Sequence, residues 1–184
     1  MSLEDALIEH CSPTLASLKA AGLFSCQSPC MRQLKAQADA LDERLCGKGL
    51  SLRVIPGRSG RSLCYLYRER HLRRILQDEA VARFLEQQGY CRLDPCGALD
   101  TLCRRLEPGK DFPHEIGLFL GYPLEDVIAF IENKGQNCLC CGCWKAYSNA
   151  CDAQRLFEKY RKCTEVYKRL YSAGRPLEKL AVAM

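Results

Sequence analysis

The stretch LSLRVIPGRSGRSLCYLY, Leu50–Tyr67, decides the fold class. Leu50, Leu52 and Val54 alternate with Ser51 and Arg53, and Leu63, Tyr65 and Tyr67 alternate on the far side of Pro56-Gly57-Arg58-Ser59-Gly60. A period of two on both sides of a Pro/Gly/Ser cluster predicts a β-hairpin. The rest of the chain reads at helical spacing. Before the hairpin, Met31, Leu34, Ala38, Leu41 and Leu45 recur every three or four residues, which predicts an amphipathic helix ending near Gly47. Nearer the start, Leu3 to His10 forms a short helical segment. Ser12 as N-cap and Pro13 at the first helical position then open a second helix through Ala20, stopped at Gly22.

After the hairpin, helical patterns run over Leu72–Leu76 and Ala80–Gln88, and Asp94-Pro95 caps another helix bearing Leu99, Leu102 and Leu106. Pro113 enters a short apolar helix and Pro123 a further one, in which Leu124, Val127, Ile128 and Ile131 face the core. Trp144-Lys145-Ala146-Tyr147 reads as a third strand, and Asp152–Ser172 is the longest helix. The expected class is α+β: a predominantly helical single domain, 1–184, with a small sheet of about three strands, the hairpin plus one later strand. Glu107-Pro108-Gly109-Lys110 is the nearest approach to a linker and would divide lobes 1–108 and 109–184.

Hydrophobic residues at 47% and charged residues at 27% are ordinary globular usage, which excludes disordered and fibrous classes. No apolar run approaches the ~20 residues of a membrane span, and MSLEDALIEH carries acids where an export signal carries bases. A soluble cytoplasmic protein is expected, with no membrane partner. The net charge of +5 is too mild to point to nucleic acid. Arg53, Arg58, Arg61, Arg68, Arg70, Arg73 and Arg74 nonetheless fall in one span. They are either a solvated face or a patch that docks an acidic partner such as a flavodoxin-like protein.

Fourteen cysteines in a chain without an export signal predict free, metal-binding or redox-active thiols in a reducing, anaerobic host. Cys46, Cys64 and Cys103 sit in apolar periodic segments and read as core. NCLCCGCW, Asn137–Trp144, places Cys138, Cys140, Cys141 and Cys143 within six residues. Cys138 with Cys141, and Cys140 with Cys143, both have C-x-x-C spacing, so zinc or an iron–sulfur cluster is one reading. The overlap of the two pairs, and a spacing unlike that of cluster ferredoxins, support free thiols as the other.

Cys11, expected just outside a helix N-terminus near Lys19 and His10, is a candidate reactive thiol or else a small packed residue. His114-Glu115 lacks the second histidine that a zincin motif needs, since position 118 is Leu118. The two residues therefore read as structural or as a base or ligand working with Cys11 or Cys141. Lys145 and Tyr147 are expected to share a strand face with Cys141 and Cys143, where they would bind an anionic ligand or line an ordinary half-exposed strand.

Four pieces of sequence together resemble an uncharacterised bacterial family, domain of unknown function 3793. They are FPHEIGLFLGYPLEDVIAFIENKG (Phe112–Gly135), Cys11-Ser12-Pro13-Thr14-Leu15-Ala16, Cys141-Gly142-x-Trp144-Lys145-x-Tyr147 and Lys162-Cys163-Thr164. The resemblance covers essentially the whole chain. It implies a host among anaerobic Firmicutes and no established activity. It also implies that a shared site would be built on Cys11, Cys141 and Cys163, with Cys138, Cys140 and Cys143 as additions. The function expected is a thiol-dependent redox or metal-handling role. The alternatives are a noncatalytic adaptor docking through the arginines and a cysteine-nucleophile enzyme acting on a small molecule.

Overall fold

The computed structural model describes residues 2–27, 30–57, 61–107 and 109–183. Helix α1 (Leu3–Leu15) starts at a reciprocal cap in which the Ser2 hydroxyl accepts from the Asp5 amide and the Asp5 carboxylate accepts from the Ser2 amide. It runs straight through the expected break, because Pro13 lies inside it and the Ser12 hydroxyl donates back to the Ile8 carbonyl. Ser12-Pro13 is therefore no helix start. The residues after it turn into a strand, β1 (Ala21–Gln27). Gly22 is not a helix stop but a point of close approach: a Cβ there would lie 2.5 Å from the Cys11 sulfur.

Helix α2 (Met31–Cys46) buries Leu34, Ala38, Leu41 and Leu45, the expected stripe. Strands β2 (Leu50–Pro56) and β3 (Arg61–Arg68) then pair antiparallel, Leu52 opposite Leu66 and Val54 opposite Cys64. The expected turn residues Arg58, Ser59 and Gly60 lie outside the described residues. Strand β1 pairs with the other edge of β3, Phe24 opposite Cys64, giving the order β1-β3-β2. The third strand of the sheet thus precedes the hairpin instead of following it. The later strand forms its own two-stranded ladder.

Strand β3 is buried on both faces, which its simple alternation did not announce. Cys64 and Leu66 join a core with α1, α2 and the last helix, while Tyr65 and Tyr67 join a second core with the helices that follow the sheet. Those helices are α3 (Glu69–Leu76), α4 (Glu79–Gln87), α5 (Pro95–Arg105), α6 (Ile116–Phe119) and α7 (Leu124–Glu132). The sheet, and not the chain position near 108, separates the two cores; Pro108 itself lies outside the described residues. The short strands β4 (Cys140–Cys141) and β5 (Lys145–Ala146) follow, then the long helix α8 (Ala150–Ser172) and the turn-length α9 (Leu177–Leu180). Helix α8 returns to the beginning of the chain, where Lys168 pairs with Glu9 and the Tyr171 hydroxyl donates to Glu4. Among the described residues no helix is long and apolar enough to cross a membrane.

Arg68 is the largest fully buried side chain. Its guanidinium donates to the carbonyls of Thr14 (2.7 Å), Leu15 (2.7 Å), Val182 (2.8 Å) and Lys48 (3.2 Å). The last carbonyls of a helix have no partner within it, so one buried fork from the end of β3 caps α1 and ties the Lys48 turn and the Val182 segment to it. Arg68 is therefore no part of a docking patch. Of its companions, Arg53 pairs with Asp100 and Arg73 with Glu69, Arg58 lies outside the described residues, and Arg61, Arg70 and Arg74 are exposed. Cys64 is core as expected, Cys103 is half-buried, and Cys46 is exposed because it falls at the solvent side of the last turn of α2.

Candidate functional site

A single cavity of about 260 Å³ draws together two of the sequence pieces singled out above, Phe112–Phe130 and Cys141–Lys145. Its foundation is Glu115. This carboxylate is 2% exposed, lies 2.5 Å from Arg105 Nε and accepts from the Tyr90 hydroxyl at 3.0 Å, a buried charge met by a cation and a donor. Tyr65 donates to the Phe119 carbonyl at 2.7 Å and ties the end of α6 to the sheet. Gly117 lets α6 and α7 approach: a Cβ there would meet Val127 at 2.8 Å and Tyr122 at 3.1 Å.

Asp126, on the buried side of α7, holds the other wall. One carboxylate oxygen accepts from Trp144 Nε1 at 2.7 Å. The other accepts from the Tyr147 amide (2.8 Å), the Ser148 amide (2.9 Å) and the Ser148 hydroxyl (2.9 Å). Burial would push this carboxyl up, but the bonds from Tyr147, Trp144 and Ser148 outweigh it and hold the pKa below 3.8. The β4–β5 hairpin is thus fastened to α7 by one side chain. Trp144 stacks on Tyr122 (5.1 Å) and stands edge-on to Phe157 (4.5 Å). Gly142 lies flat against Phe157, where a Cβ would sit 2.2 Å from the ring.

Aromatic side chains from Phe112, Tyr122, Phe130 and Trp144 wall the cavity, with Ile116 and Val127 beneath. Beside Asp126, the polar residues His114, Cys141 and Lys145 stand at its border. His114 is exposed, with its ring 5.1 Å from Phe130 and 5.7 Å from Phe112. Cys141 is opposite Lys145 in the β4–β5 ladder, so the two side chains leave the same face. Lys145 Nζ donates to the Gly135 carbonyl at 2.6 Å.

Of the residues singled out from sequence, His114, Cys141 and Lys145 meet here. Glu115 points away into its ion pair. Tyr147 does not line the cavity; its hydroxyl is buried without a hydrogen-bond partner among the described residues, and burial raises its pKa. Cys11 is elsewhere. It sits within α1, fully buried, and desolvation pushes its thiol up to about 12 despite the opposing charge of Lys19. The expectation of an activating helix N-terminus fails because the helix begins at Leu3. Cys163 is half-buried on α8, its thiol pKa raised by burial.

The dense cysteine run fans out. Cys140 donates to the Ala150 carbonyl and has Cys138, Asp126 and Cys151 among its electrostatic neighbours. Cys141 borders the cavity, and Cys143 interacts with Lys19, whose ammonium lies 5.1 Å over the Tyr122 ring. Among the described residues no group of three or more His, Cys, Asp or Glu side chains is placed to hold a metal ion.

Sequence reasoning missed Tyr122, Asp126, Phe130 and Trp144. Asp126 did carry a signal, as a carboxylate beside the apolar stripe Leu124, Val127, Ile128, Ile131. Trp144, the chain's one tryptophan, was another.

No curated protein and no solved structure matches the chain. A family model does, over residues 7–181, and it takes in every wall of the cavity: the chain belongs to the family described as protein of unknown function (DUF3793).

Proposed function

We propose that the protein is a small-molecule binder that works through a thiol, with the ligand in the cavity between α6–α7 and the β4–β5 hairpin and Cys141 as the group that acts on it. One observation carries this reading: a histidine ahead of α6 and a cysteine and a lysine of the β4–β5 hairpin border one aromatic-walled cavity. Such concave, mostly apolar sites with a few convergent polar groups are the usual form of a ligand site. Reactive cysteines sit in electropositive, partly exposed surroundings, and Cys141 is exposed with Lys145 across the ladder and His114 at the same border. Thiol-dependent chemistry is retained from the sequence reading, but its seat moves from Cys11 to Cys141.

Limiting iodoacetamide at neutral pH, read peptide by peptide by mass spectrometry, tests it. Cys141 should be alkylated several-fold faster than Cys46 and Cys151, which are exposed and lie outside this cavity, and Lys145→Gln should slow it towards their rate. Equal rates for the three thiols in the parent protein would defeat the reading.

A further inference from the structure

The chemistry of the cavity also selects its ligand, on the reading of it as a ligand site. The walls are π surfaces, and Trp144 is fixed from behind by Tyr122 and Phe157 before any ligand arrives. Aromatic faces favour flat partners in offset or edge-on contact, and a wall already held in place loses little freedom on binding. The cavity, about 260 Å³, has room for one ring with a small substituent.

Charge narrows the class further. Asp126 borders the cavity, but its charge is already met by four protein donors, three on one oxygen and Trp144 on the other, so a cationic ligand must compete with the bonds that hold the hairpin. Lys145 is the opposite case. Its ammonium gives one proton to the Gly135 carbonyl, and an ammonium carries three donors, so two face outward from that bond. His114 adds a ring N–H at the border. We infer that the cavity takes a planar, single-ring aromatic acid, its ring against the Trp144 and Phe130 walls and its carboxylate on the Lys145 ammonium.

Benzoate, benzamide and benzylamine share the ring and differ in charge, and Trp144 as the single tryptophan reports their arrival. Fluorescence titration should show benzoate binding about tenfold tighter than benzamide, and benzylamine weakest. Lys145→Gln should bring benzoate and benzamide within about twofold, and Lys145→Arg, which keeps the charge, should restore the preference. The unliganded emission of each variant, unchanged from the parent, checks that the hairpin is still in place. Equal binding of all three probes would overturn the acid preference and leave the cavity as a ligand site. Binding of none would overturn the cavity itself as the site.

Discussion

Asp126→Asn should release the β4–β5 hairpin while the rest of the fold stands. The asparagine carbonyl can keep the three donors from Tyr147 and Ser148, but its amide then faces Trp144 Nε1, donor against donor. One charge-assisted bond of about 1.5–3 kcal/mol is lost and three others become neutral ones, while the substitution relieves the desolvation of the buried charge, so the expected net cost is about 3 kcal/mol. Domains of ordinary stability, about 5–15 kcal/mol, remain folded after such a loss. The hairpin then hangs on the weakened bonds from Tyr147 and Ser148, the Trp144 ring contacts, the Tyr122 hydroxyl on the Cys143 carbonyl and the Lys145–Gly135 bond, so the opening is local.

Urea unfolding followed by tryptophan emission and by far-UV circular dichroism separates the two events. With m of about 1–3 kcal/mol/M, the emission transition should move about 1–3 M lower, and the dichroism transition should move less. The pH dependence has a definite sign. Asp126 has a folded pKa below 3.8, so its contribution is complete above that value and is lost as pH falls from about 4 through the folded pKa. Asp126→Asn should flatten this acid slope. Coincident transitions at the parent midpoint, with the slope intact, would refute the role given to this carboxylate.

Arg68→Met should lower stability by about 3 kcal/mol in chemical denaturation, because the carbonyls of Lys48 and Val182 lose the guanidinium and those of Thr14 and Leu15 keep only their backbone donors from Ser17 and Val182; unchanged stability would contradict it. Gly142→Ala should cost about 1–3 kcal/mol by driving its methyl into Phe157, and the same change made beside Phe157→Leu should cost much less. Cys11 should resist iodoacetamide at pH 8 in the native protein and react readily in denaturant, since its thiol is buried and its pKa stands at about 12; labelling in the native state would contradict its place inside α1.

Leu50–Tyr67 was legible because a period of two survives in the residues themselves: Leu52 and Tyr65 take opposite faces whatever lies beyond them. Strand β1 was not, since Ala21-Gly22 imitates a helix stop and only the approach of Cys11 explains the glycine. Ser12-Pro13 misled for a related reason. Cap and first-turn preferences are local and weak, and the burial of Leu7, Cys11 and Leu15 on the sheet outweighs them. At the site, Cys141 and Lys145 were placed on one face correctly from strand geometry, whereas Tyr147 and Glu115 were not, because the bonds that turn them away come from Asp126 and Arg105, distant in sequence. Arg68 shows the same limit: charge and spacing put it with surface arginines, and only the carbonyls around it show that it is interior.

The return of α8 to α1 sets a timetable for synthesis. Glu9 and Lys168 are 159 residues apart, and at about 5–20 residues per second the partner of Glu9 is made roughly 8–32 s later. Through that interval α1 lacks its α8 cover and the Arg68 fork lacks the Val182 carbonyl. Contacts of such long range form late and slowly. Cys11, sealed in the finished protein, is open to oxidants until α1 packs on the sheet, so for this thiol the redox state of the surroundings matters before folding ends and not after.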